Sequence, residues 1–115
     1  MKFYKIEASR YDINLKTPFK NANTEYIDRT GYIIKLYIDD LCGCGEAAPL
    51  AFYSRESFNQ IVWGFEELKN ALCVNSNYTK DDLLDLFALY TNNFPSLNFA
   101  LDISLYDILA QKNNK

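Results

Sequence analysis

The chain has 115 residues, 49% of them hydrophobic and 16% aromatic, which suits one folded domain with a modest core and excludes an unstructured tail. Its formal net charge of −3 argues against a nucleic-acid binder, whose contact face is ordinarily basic. Histidine is absent, so no triad with a histidine base can be assembled, while serine, cysteine and lysine chemistries stay open.

No basic segment precedes an apolar stretch, and no apolar run approaches a bilayer-spanning length, so neither a leader nor a membrane segment is expected. The three cysteines are odd in number and irregularly spaced, which reads as free thiols in a reducing compartment and makes a cytoplasmic location the expectation.

In chain order, the first half reads as strands. Tyr4, Ile6 and Ala8 share one parity and Tyr11, Ile13 and Leu15 the other; the phase change predicts a bulge near Ser9 and Arg10. A second strand, roughly 31–39, carries Tyr32, Ile34, Leu36 and Ile38 on one face. Asp39-Asp40 reads as a turn, because Asp tolerates left-handed backbone, and a third strand follows. Three strands with one tight connection predict an antiparallel meander.

The second half reads as helices. From Ser54 to Leu72 the apolar residues Phe58, Ile61, Val62, Phe65, Leu68 and Leu72 recur at helical spacing. Ser54 is a candidate N-cap, with Glu56 in the positive first turn. A second helix begins after a capping Thr79, with Leu83, Leu86, Phe87 and Tyr90 as its buried stripe. Pro95 opens a third helix that runs to about Gln111. Here Leu97, Ala100, Leu101, Ser104, Leu105 and Ile108 make one stripe, and Phe99, Ile103, Tyr106 and Leu109 lie off it. Such a helix either is wrapped by its own domain or rests on something outside this chain.

The most pointed motif is Cys-Gly-Cys-Gly-Glu, residues 42–46. With Cys73 distant and histidine lacking, its spacing does not match a structural zinc site. No helix start with a Lys-Ser/Thr pair follows, which removes a phosphate loop, and no Cys-x-x-Cys redox pair is present. What remains is structural: Gly43 and Gly45 allow a bulge or a close backbone approach, and Cys44 packs as a small hydrophobe.

The run Gly-Cys-Gly-Glu-Ala-Ala-Pro-Leu followed by Tyr-Ser-Arg-Glu-Ser, residues 43–50 and 53–57, resembles the N-terminal domains of the enolase superfamily, muconate-lactonizing subgroup. Residues 18–36 and 95–111 resemble that domain's first loop and second strand, and its last helix. The resemblance implies an α+β fold, a three-stranded antiparallel meander followed by a helical bundle, over residues 1–115, with the catalytic (β/α)-barrel absent from this chain. It further implies that a barrel lysine and Mg²⁺ do the chemistry on a small carboxylate substrate, that this fragment binds no cofactor itself, and that it is silent alone.

The cap is then expected to enclose substrate with two loops, residues 18–29 and 49–54. Phe19, Lys20, Tyr26 and Arg29 are the candidates in the first, Phe52 and Tyr53 in the second. Among subgroup activities, o-succinylbenzoate synthase, a dehydratase of menaquinone biosynthesis, is the first expectation, ahead of dipeptide epimerase and muconate cycloisomerase. The alternative from another class is a stand-alone assembly module whose apolar last helix is a homo-oligomer face.

Overall fold

Strand formation begins at the N-terminus, where Phe3, Tyr4, Ile6, Tyr11 and Ile13 recur among polar residues. The computed structural model describes residues 1–18, 24–47 and 58–113, with side chains at 1–12, 31–47 and 59–113. Three strands, β1 (Phe3–Pro18), β2 (Thr24–Ile38) and β3 (Leu41–Ala47), precede three helices, α1 (Phe58–Ala71), α2 (Lys80–Thr91) and α3 (Pro95–Asn113). The sheet is an antiparallel meander in the order β1-β2-β3, as the sequence implied.

The β2–β3 connection is the Asp39-Asp40 turn, with Asp39 at φ 55°, a conformation that Asp and Asn adopt more readily than most residues. The Asp39 carboxylate accepts the Lys2 backbone N–H at 2.9 Å and pairs with the Lys112 ammonium. One residue thus joins the turn, the first strand and the end of α3.

The β1 bulge lies elsewhere than the hydrophobic phase suggested. Pairing with β2 is regular from Lys5 to Pro18, and the register shifts between Phe3 and Lys5. The extra residue lets Phe3 and Ile6, three apart, both bury in the core while Tyr4 stays exposed. The phase change near Ser9 marks instead a switch in which face carries apolar residues, since Tyr11 lies on the sheet's outer face, opposite Gly31. β2 is also longer than read. Residues 24–29, taken as part of a loop, extend the strand and pair with 13–18.

Ile6, Ile34, Leu36, Ile38 and Ala47 face inward and pack against Ile61, Phe65, Leu68, Leu72, Leu83, Phe87 and the buried stripe of α3. Val62, expected in the stripe, is 39% exposed. α2 starts as its sequence requires. Thr79 accepts the Asp82 N–H at 3.0 Å and the Asp82 carboxylate accepts the Thr79 N–H at 2.9 Å, a reciprocal capping box. α3 buries Leu97, Ala100, Leu101, Ser104, Leu105 and Ile108, the stripe read from spacing, and Leu109 packs partly against the core.

The two glycines of the motif explain how α3 reaches the sheet. Both face inward on β3. A Cβ on Gly43 would lie 1.9 Å from the Ser104 carbonyl oxygen, and one on Gly45 would lie 2.0 Å from that of Ala100. Only glycine permits this approach. α3 also satisfies the free edge of β3: Asp107 accepts the Cys44 N–H at 3.0 Å, and Gln111 donates to the Cys42 carbonyl at 2.8 Å. An unpaired strand edge is a liability, and here helix side chains cover it.

Candidate functional site

Antiparallel pairing brings the C-terminal ends of β1 and β3 and the N-terminal end of β2 to one end of the sheet. The two segments expected to enclose substrate depart from that end. β3 stops at Ala47, opposite Tyr32. Beyond it β1 and β2 continue as a two-stranded arm from Tyr11↔Gly31 to Pro18↔Thr24, which projects roughly 20 Å at about 3.3 Å per residue.

At the base of the arm, the outer face of the sheet carries a tie across all three strands. The Tyr11 hydroxyl donates to the Glu46 carboxylate, and the Tyr11 ring lies over Gly31, where an added Cβ would sit 2.4 Å from the hydroxyl oxygen. Glu46, the lone carboxylate of the opening motif, is therefore engaged with β1. No sequence signal links two residues 35 positions apart.

Lower on the same face, Tyr37 donates to Glu7 at 2.8 Å and Lys5 pairs with Glu7 at 3.1 Å. The hydrogen bonds from Tyr37 and Lys5 hold the Glu7 carboxyl below its ordinary value, and the same bond pushes the Tyr37 phenol up to about 12. Tyr37 is locked as a donor. Cys42 and Cys44 share this outer face, and Cys44 is exposed, so it does not pack as the small hydrophobe expected. The alternation of the strand places it opposite the two inward glycines. Burial, then the neighbouring Cys42, raise the Cys44 thiol, which disfavours the thiolate that nucleophilic or redox work requires.

Of the candidate site residues, Phe19, Lys20, Phe52 and Tyr53 lie outside the described residues. Tyr26 and Arg29 belong to β2 and not to a loop, in register with Lys16 and Ile13; their side chains too lie outside what is described. A cleft of about 300 Å³, missed by sequence reasoning, opens between the sheet and α1 and is lined by Tyr32, Ile34, Ile61, Phe65, Glu66 and Lys69 among others. Among the described residues, no group of three or more Cys, Asp or Glu side chains is placed to hold a metal ion. Among those residues, also, no helix is long and apolar enough to cross a membrane.

The far side of α3 is the other notable surface. Phe99, Ile103 and Tyr106 are 64%, 41% and 49% exposed and follow one another at helical spacing. α3 is not wrapped by its own domain. Asp102 lies within this stripe, and burial raises its carboxyl above the ordinary value of 3.8.

A three-stranded meander, three helices and an apolar helix face left open define an α+β domain of the kind that caps the barrel in enolase-superfamily enzymes. The chain matches the family described as MenC, N-terminal domain, over residues 3–108, and belongs to it. It is 32% identical over 114 residues to the L-Ala-D/L-Glu epimerase of Bacillus subtilis, covering 96% of this chain and 31% of that protein. The substrate-liganded structure of that epimerase superposes with a TM-score of 0.78 at 29% identity, covering 98% of this chain and 32% of that one. A dipeptide epimerase from Methylococcus capsulatus, complexed with Mg and the dipeptide L-Arg-D-Lys, gives 0.77 at 20% identity over 98% of this chain and 32% of its own. MenC from Desulfotalea psychrophila gives 0.59 at 21% identity over 90% of this chain and 34% of its own. The last two share the fold. The chain thus spans about a third of the length of these relatives.

Proposed function

We propose that this chain is the substrate-capping domain of an enolase-superfamily enzyme of the cytoplasm, and that a (β/α)-barrel domain covers the open face of α3. The observation that carries this is the exposed stripe Phe99, Ile103 and Tyr106 on a helix whose opposite side is pinned to the sheet. Three large apolar side chains in one row are a surface built to be covered. The length of the relatives, about three times the part matched here, supplies room for such a cover.

In this reading the arm and the segment after Ala47 lie over the substrate. Phe19, Tyr26, Phe52 and Tyr53 exclude water from it, and Lys20 and Arg29 face its carboxylate. The chemistry, and any Mg²⁺, belong outside the described residues, so the chain alone turns nothing over. For the substrate, formation of o-succinylbenzoate from its cyclohexadiene carboxylate precursor rests on the MenC family match. A second reading, epimerisation of a dipeptide, rests on the 32% identity to the Bacillus subtilis epimerase.

The test is to express the whole reading frame that contains these residues and offer both substrates with Mg²⁺. Formation of o-succinylbenzoate supports the first reading, and exchange of the dipeptide α-proton with inversion supports the second. A stop codon directly after Lys115, with a stable homodimer in solution, would overturn the capping role in favour of an assembly module.

A further inference from the structure

We propose that Tyr11, Gly31 and Glu46 form a latch that sets the direction of the β1–β2 arm, with Tyr11 as a positioning residue for whatever the arm covers. The functional consequence rests on the capping reading above; the latch itself does not.

The argument starts from what the arm lacks. Below Tyr32 each residue of β2 has a neighbour on both sides, and the inner face of the sheet is backed by helices. From Gly31 onward, β2 has only β1. A two-stranded ribbon twists and bends more easily than a three-stranded sheet, and alone it is marginally stable. Its direction is therefore fixed by what grips it where the third strand ends.

That grip is visible. Tyr11 and Gly31 are the first residue pair past the end of β3. From β1, the Tyr11 side chain crosses β2 over Gly31 and donates its hydroxyl to Glu46, the penultimate residue of β3. The tie replaces the missing third strand for one more step of the sheet. Gly31 has no left-handed backbone to explain it, since no glycine among the described residues has positive φ. Its role is room, because any Cβ there meets the Tyr11 hydroxyl and ring at 2.4–2.7 Å.

Three substitutions remove the tie in unrelated ways. Tyr11→Phe deletes only the hydroxyl, Glu46→Ala deletes the acceptor, and Gly31→Ala leaves both groups but takes the space between them. The last is the sharpest. On backbone grounds alone, alanine stiffens a strand relative to glycine, so an arm without a latch should tighten.

Hydrogen–deuterium exchange of the intact protein, read by mass spectrometry on peptides covering 12–18 and 24–30, tests this without any substrate. All three variants are expected to speed exchange in the arm roughly three- to tenfold, the range for a typical hydrogen bond net of its competition with water, and to leave peptides covering Leu36 and Ile38 unchanged. Wild-type exchange in the arm of Tyr11→Phe, the mildest change, would overturn the latch. So would slower exchange in Gly31→Ala. In the active enzyme, whichever substrate it takes, Tyr11→Phe is further expected to raise KM several-fold with kcat held within about twofold, the pattern of lost uniform binding. Unaltered KM with a loosened arm would remove the positioning role and leave the latch, while failure of both substrates bears only on the functional reading.

Discussion

Adding one methyl group to Gly45 places a carbon 2.0 Å from the Ala100 carbonyl oxygen, with the Ala100 carbonyl carbon at 2.8 Å. Real Cβ atoms essentially never approach closer than 3.0 Å, so α3 or β3 must retreat by about 1 Å. Neither can do so by turning a side chain, because the obstacle is helix backbone. The retreat unpacks Leu101, Leu105 and Ile108 from the sheet and stretches the Asp107 and Gln111 bonds to the β3 edge. Overpacking of this kind costs about 1–3 kcal/mol or more, against a gain of roughly 0.5–1 kcal/mol from replacing glycine in a strand. Gly45→Ala is therefore expected to lose about 1–2 kcal/mol net. That corresponds to a fall in Tm of about 5–15 °C for a domain near this size. Urea unfolding measures it as a lower midpoint at unchanged slope, and exchange at the Cys44 amide should rise in parallel. Gly43→Ala should behave alike, and the double variant should lose less than the sum, since both push the same helix away. A midpoint at or above wild type would refute the claim that these glycines exist for the helix contact.

Further outcomes follow from the same structure. Thr79→Ala opens the capping box of α2 and should cost about 1 kcal/mol in urea unfolding, with Thr79→Ser retaining most of it. Asp39 is lowered by Lys112 and the Lys2 amide, Asp82 by the Thr79 amide and hydroxyl, and Glu7 by Tyr37 and Lys5. Because each folded value lies below the ordinary one, their stabilisation is complete above about pH 5. It is lost as pH falls below 4.5 for Glu7 and 3.8 for the two aspartates. The urea midpoint should drop on acidification, and by less in Asp39→Asn. Asp102 runs the other way: with its folded value raised by burial, the charged form disfavours folding above 3.8. Asp102→Asn should accordingly raise the midpoint of the isolated chain at pH 7 and not at pH 3; a loss at both would mean that the carboxylate has a stabilising partner.

What the sequence disclosed was whatever depends on local spacing. The α3 stripe from Leu97 to Ile108, the Thr79 cap and the Asp39 turn each follow from residues within a few positions of one another. The close approach at Gly43 and Gly45 was legible as one of two readings of small residues in a strand, a bulge being the other, and the contacts with α3 decide it. Hidden were the features set by register. The bulge at Tyr4 could not be told from one near Ser9, because Tyr11 on the outer face reverses the apparent apolar parity without any bulge there. The extension of β2 back to Thr24 was masked by Asp28 and Arg29, which read as loop until a partner strand is known. The Tyr11–Glu46 tie and the cover of the β3 edge by Asp107 and Gln111 join residues 35 to 69 positions apart; such pairs leave no trace in a single sequence. The candidates Phe19, Lys20, Tyr26, Arg29, Phe52 and Tyr53 came from resemblance alone, and their role stays a proposal that the two substrate assays address.

The two sides of α3 bear on one another. Its inner side is held to β3 by backbone contacts at two glycines and by two edge hydrogen bonds, which leave the helix little freedom to slide. Its outer side presents Phe99, Ile103 and Tyr106, about half exposed, so covering what remains is worth roughly 1–1.5 kcal/mol each and about 3–4 kcal/mol together, more than a typical single hydrogen bond. Whatever covers that stripe therefore takes its position from the helix, and the helix takes its own from Gly43 and Gly45. The arm is gripped by the same strand through Glu46. β3 is thus the common reference for the projecting arm and for the docking face, and a one-ångström shift at Gly45 should displace the arm relative to the body beneath it. In the active enzyme Gly45→Ala should then impair turnover even at temperatures where the fold is intact, a loss that assays well below its Tm would separate from instability.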